Sequence, residues 1–143
     1  MEIVIVLLVS ISFSPIFALT DLERISIDGP RLENAFGNPL VDNINVSQQI
    51  QISADITNQQ TKLQNFAYIV QIKDETERTV AIGWITGQLT SNQRFNPSLS
   101  WVPEDEGEYS AEVFVWEWIK DSKGIISQYD ALTDPVSITF KVS

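Results

Sequence analysis

From Gln49 to Thr57 the chain reads QIQISADIT, with apolar residues spaced two apart from Ile50 to Ile56. Successive side chains of a strand point to opposite faces, so this period dictates an extended segment with one side buried and the other wet. It turns Ile50, Ile52, Ala54 and Ile56 toward a core. The same period returns in block after block, and nowhere do apolar residues hold a helical spacing for three turns. Within Asn65 to Lys73 the polar Gln71 and Lys73 mark the outward side, which assigns Phe66, Tyr68, Val70 and Ile72 inward and Ala67 and Ile69 outward. After the charged turn Asp74 to Arg78, the run Thr79 to Thr86 puts Val80, Ile82 and Trp84 on one side and ends at Gly87. Arg94 to Trp101 is a further strand with Leu99 and Trp101 in phase, and Pro97 marks it as an edge or a bulge. Val136, Ile138, Phe140 and Val142 face inward in the last strand. Arg24 to Asp28 is a short first strand that Gly29-Pro30 stops, followed by the turn-rich crossing Ala35 to Pro39. The expected body is all-β.

Asp105-Glu106-Gly107-Glu108-Tyr109 matches the D-x-G-x-Y arrangement that opens the F strand of immunoglobulin-like sandwiches. There the tyrosine hydroxyl bonds back to the chain at the corner, so Asp105, Gly107 and Tyr109 are assigned a structural role. About seven strands, with this corner before the sixth, predict an immunoglobulin-like Greek-key β-sandwich that fills residues 19–143 as one domain.

Residues 1–18 read differently. IVIVLLVSI (Ile3 to Ile11) is an apolar run, followed by Pro15 and then Ala18, and charge begins at Asp21. That is the pattern of a signal peptide cut after Ala18, although Glu2 stands where a positive charge is expected and Ile16 where a small residue is. An uncleaved membrane-anchor helix is the alternative. Both place the body outside the cytoplasm, secreted or anchored at the cell surface.

The formal net charge of −10 is spread along the 143 residues with no basic patch, which disfavours nucleic acid and anionic membrane surfaces as partners because both repel such a chain, and no nucleic acid is expected. Histidine and cysteine are absent. That removes the usual zinc and copper ligands, thiol and histidine chemistry and any disulfide, so neither a soft metal nor a cofactor is expected. Asp74-Glu75-Thr76-Glu77 and Glu104-Asp105-Glu106 are rich in oxygen, yet neither has the spacing of a calcium loop, and solvated turns are expected instead. Carboxylates are plentiful but follow no positional motif, so no enzyme is expected. Asn45-Val46-Ser47 is an N-glycosylation triplet, whereas Pro97 blocks the one at Asn96.

The segments AFGNPL (Ala35 to Leu40), QIQISADITN (Gln49 to Asn58), FAYIVQIKD (Phe66 to Asp74), ITGQL (Ile85 to Leu89), SLSWVP (Ser98 to Pro103) and GEYSAEVFVW (Gly107 to Trp116) cover most of the body. In them the chain resembles secreted archaeal immunoglobulin-like modules, related in pattern to bacterial cell-adhesion-type domains. The resemblance implies a scaffold or binding module and supplies no catalytic residue. Ala111 stands where antibody-type domains carry the F-strand cysteine.

The stretch VFVWEW (Val113 to Trp118) is apolar on both faces. In such a sandwich the third and sixth strands lie side by side, so Ala67 and Ile69 would join Phe114, Trp116 and Trp118 in one outward patch. Its area, on the order of several hundred Å², exceeds what a soluble monomer usually exposes. Either the connection Ile119 to Asp134 folds over it with Ile125, Ile126, Tyr129 and Leu132, or a partner does. A protein partner, including a second copy, is expected first. A glycan stacked on the tryptophans is second, because Glu112 is the only clear outward polar group on that strand.

Overall fold

The computed structural model describes residues 19–40, 44–118 and 131–143, and in them eight strands follow the period-two blocks. They are β1 (Ile25–Asn34), β2 (Ile50–Asn58), β3 (Gln64–Asp74), β4 (Thr79–Leu89), β5 (Arg94–Phe95), β6 (Ser98–Trp101), β7 (Gly107–Trp116) and β8 (Val136–Val142). One sheet pairs β1 with β2, and β2 with both β5 and β6; the other runs β4-β3-β7-β8. All these pairings are antiparallel. The chain crosses between sheets after β2, β4 and β6, which makes the body the expected Greek-key immunoglobulin-like sandwich.

The core forms where the inward residues of the two sheets meet. Ile50, Ile52, Ala54 and Ile56 of β2 pack with Phe66, Tyr68, Val70 and Ile72 of β3 and with Ala111, Val113 and Val115 of β7. Tyr68 is fully buried, and its hydroxyl donates to the Ile52 carbonyl of the opposite sheet at 3.3 Å. Burial pushes that phenol well above its ordinary pKa. At one end Trp101 meets Tyr109 edge-on, with centroids 5.1 Å apart, and Tyr109 stacks on Phe140 at 6.0 Å. The Tyr109 hydroxyl donates to the Asp105 carbonyl at 2.9 Å. At the other end Asn58 is buried. Its side-chain amide donates to the carbonyls of Lys62, Leu89 and Thr90, tying the end of β2 to the end of β4.

Three boundaries differ from expectation. Gly29-Pro30 does not stop β1. The pair is absorbed as a bulge, between Asp28 opposite Asp55 and Arg31 opposite Ser53, and Gly29 takes φ +54°, a conformation that suits glycine. Arg94 to Trp101 is two strands, because the Asn96-Pro97 step leaves the ladder and buries the proline. VFVWEW leaves the sheet after Trp116, so the expected phase does not carry through to Trp118.

The outer face of the first sheet is polar and internally bonded. Ser53 donates to Glu33 at 2.7 Å, Arg31 donates to Glu33 at 2.6 Å, and Arg94 and Asn96 both donate to Asp55. That leaves the second sheet's outer face as the apolar side of the molecule.

Gly87 has a packing role as well as a place in the ladder. It pairs with Phe66, and a Cβ there would lie 2.9 Å from the buried Phe66 ring. Gly87→Ala is therefore expected to lower stability by about 1–3 kcal/mol in chemical denaturation, with the denaturant slope unchanged.

Candidate binding face

The β3–β4 hairpin decides what this face carries. Its turn closes with Asp74 N–H donating to the Arg78 carbonyl, and Glu77 takes φ +63°. Lys73 then pairs with Thr79, but Ile72 pairs with Ala81, so Val80 is an extra residue on β4. A one-residue slip turns every later side chain to the other face. Ala81, Gly83, Ile85 and Gly87 consequently point inward, whereas Ile82 and Trp84 point out.

Ladder register then builds the outer face row by row. Trp84, Ile69 and Phe114 form one row; Thr86, Ala67 and Trp116 form the next. Ile82, Gln71, Glu112 and Ser137 form the row on the other side. Phe114 and Trp116 meet edge-on with centroids 6.3 Å apart. Ile69, Gln71, Ile82, Trp84, Phe114 and Trp116 line a shallow depression of about 270 Å³. Beside it Gln71 donates to the Thr79 hydroxyl at 2.6 Å, and Lys73 sits 2.6 Å from the Glu112 carboxylate, which holds the ammonium above its usual pKa.

Phe114 and Trp116 thus lie on the outer face as expected, with Trp116 40 % exposed. Ala67 and Ile69 share the face but do not reach its surface. They are 0 % and 6 % exposed, because the larger side chains on β4 and β7 close over the central strand and make them its floor. Trp118 is exposed beyond the end of β7 and belongs to no row of the ladder. The connection expected to cover the face runs mostly through residues 119–130, outside the described residues. Of its apolar members, Leu132 is described. Its N–H donates to the Val115 carbonyl at 2.8 Å and its side chain is buried in the main core, not over the aromatics.

Ile82 and Trp84, at 60 % and 53 % exposed, are the most open large residues of the face, and they are absent from the sequence-derived candidates. Simple alternation from the hairpin turn would have put them in the core opposite Val70 and Tyr68. The signal that could have found them is the size contrast along β4, where the inward positions hold alanine and two glycines.

Pairing of β3 with β7 brings Asp74 opposite Tyr109, so the two acidic clusters sit at the same end of the sandwich. The Asp74 carboxylate is used by its own turn. It accepts hydrogen bonds from the Thr76 N–H and hydroxyl and from the Arg78 N–H and side chain. Among the described residues no group of three acidic side chains is arranged to hold a metal. Asn45 is exposed at this same end, in a turn tied to the C-terminus through Val46 and Ser143. Among the described residues no helix is long and apolar enough to cross a membrane.

No protein-family model matches the chain, and no curated protein does. Solved structures share its fold. The C-terminal domain of wzt superposes with a TM-score of 0.68 over 87% of this chain and 76% of that one, at 12% identity. A Pseudomonas fluorescens alkylpurine DNA glycosylase, AlkC, bound to DNA containing an abasic site analog, superposes with a TM-score of 0.55. That match is 13% identical and covers 83% of this chain but 30% of the glycosylase. At such identities the likeness is one of fold alone.

The Thr76 hydroxyl, followed by the backbone and side-chain donors of the turn, holds Asp74 at a pKa of about 2. A carboxylate depressed in the folded state stabilises it fully above the unfolded value near 4, and that contribution is lost as pH falls through about 2. The stability difference between wild type and Asp74→Asn should be constant above pH 5 and shrink between pH 4 and 2. A carbon-detected titration of Asp74 with a midpoint near 4 would contradict this.

Proposed function

We propose that the chain is a non-enzymatic interaction module that acts outside the cytoplasm, at the cell surface, and binds a protein partner or a second copy of itself through the aromatic face of β4, β3 and β7. One observation carries the proposal: Trp84, Ile82 and Trp116 stand open over a buried apolar floor formed by Ala67 and Ile69, with the bonded polar pairs Gln71–Thr79 and Lys73–Glu112 to one side. Aromatic anchors over a desolvated centre with a polar rim are how protein interfaces concentrate their binding energy. The apolar leader at residues 3–11 supports export, and the resemblance to secreted surface modules supports the setting.

Glycan binding is the second reading, and Gln71 and Glu112 favour it by placing an amide and a carboxylate in the row next to the indoles. The protein reading is preferred for two reasons. Gln71 and Glu112 already bond to Thr79 and Lys73, and the aliphatic Ile82 beside Trp84 offers a sugar no stacking surface.

A photo-crosslinking residue placed at Trp84 or Trp116 in the producing cell should yield an adduct of discrete mass, and one at Ser100, on the polar sheet, should not. Once that partner is in hand, Trp84→Ala should weaken binding roughly 30-fold, about 2 kcal/mol, with little change in Tm because the indole is half exposed. Saturable glycan-array binding that Trp84→Ala abolishes, with no protein adduct, would replace the protein reading by the sugar one.

A further inference from the structure

Among the described residues β4 ends the second sheet, so alternate N–H and C=O groups along it have no neighbouring strand there. It is 11 residues long and contains neither a charged residue nor a proline. Every other described strand longer than four residues carries charge: Asp28 on β1, Asp55 on β2, Lys73 on β3, Glu112 on β7 and Lys141 on β8. In a chain of net charge −10 that absence is selective. Proteins that stay monomeric blunt such edges with lysine, proline, bulges or short strands. Here the Val80 bulge lies at one end and leaves Ala81 to Leu89 in regular register.

We propose that β4 pairs antiparallel with β4 of a second copy of this chain, joining the two outer sheets into one continuous sheet about a two-fold axis. The charge distribution selects this occupant and this direction. The acidic hairpin Asp74 to Arg78 precedes β4, and the uncharged turn Thr90 to Gln93 follows it. Antiparallel pairing sets the acidic hairpin of each copy beside the neutral turn of the other. The two acidic ends are then separated by a strand of about 36 Å, several times the Debye length of about 8 Å at physiological salt. Parallel pairing would instead superpose the two acidic hairpins. An edge of about 36 Å is nearly twice the usual strand length of about 17–20 Å, so it offers a long ladder to a second copy. A register centred on Gly83 opposes Ile82 of each copy to Trp84 of the other, two of the most exposed apolar side chains on β4. The pairing goes beyond the face reading above, because it concerns the strand edge and holds whether the face takes protein or sugar.

The chain contains no cysteine, so an introduced thiol reports alone. In the full chain under mild oxidation, an equimolar mixture of Ile82→Cys and Trp84→Cys chains should form the mixed disulfide dimer at least tenfold faster than a mixture of Ile82→Cys with Gln88→Cys or with Ser100→Cys. Only directly opposed positions bring two Cβ atoms within bonding reach. Adding Gly83→Pro to both chains of the Ile82→Cys and Trp84→Cys mixture should reduce the rate to that of the Ser100→Cys mixture. Val80→Glu together with Thr86→Glu, which keeps the backbone donors and opposes acids across the pair, should reduce it at least fivefold, so the outcome does not hang on the proline variant folding. Trp116→Ser should leave it unchanged. Equal rates in all three mixtures, or no cross-linking in any, would overturn edge pairing and leave the face reading standing. Loss in Trp116→Ser with retention in both edge variants would also overturn it and assign the association to the face.

Discussion

Two sheets without a disulfide must be held by what lies between them, and here the central contact is Tyr68 against Ile52. The ring fills the space that the β2 isoleucines leave, and the hydroxyl satisfies a backbone carbonyl of the facing sheet. A buried phenol with a partner contributes both apolar area and direction, since only one placement of the ring lets its oxygen reach that carbonyl. Once β2 and β3 are fixed in this way, β7 can only add to the other edge of β3, and its valines meet the same layer. The position that holds an inter-sheet cysteine in antibody domains holds Ala111, fully buried. Packing density replaces the covalent link.

The two outer faces then differ in kind. On the first sheet the polar groups engage one another through Glu33, Ser53, Arg31, Asp55 and Arg94, so that side is complete with water as its neighbour. On the second, small and branched residues of β3 are roofed by aromatics from the strands on either side. This arrangement uses three strands to build one patch, which explains how Ala67 and Ile69 can be outward in phase and buried in fact. Polarity is also divided lengthwise. Both acidic clusters gather at the tyrosine-corner end, while the other end of β4 runs into an uncharged turn.

Much of the core was legible from period two, because alternation is a local property enforced by strand geometry whatever the partner strand. The inward sets of β2, β3 and β8 follow from it directly, and Asp105-x-Gly107-x-Tyr109 marked the corner where Tyr109 now donates to Asp105. Turn residues were less decisive. Gly29-Pro30 has the composition of a stop, yet an edge strand can absorb the missing N–H and the positive φ as a bulge, so the same two residues allow both outcomes.

The sequence by itself thus determined that the chain is all-β and which residues of most strands face inward, since side chains that alternate along one strand need no knowledge of the next. Only the tertiary structure decided the face of β4. Register is a relation between two strands, and a single extra residue at Val80 reverses it, sending Ile82 and Trp84 outward and alanine and glycine into the core. The same holds for Trp118, whose place depended on where β7 leaves the sheet, and for the gathering of acidic clusters that lie some 30 residues apart in the chain. These are decisions of pairing, and pairing is set by the contacts of the folded molecule.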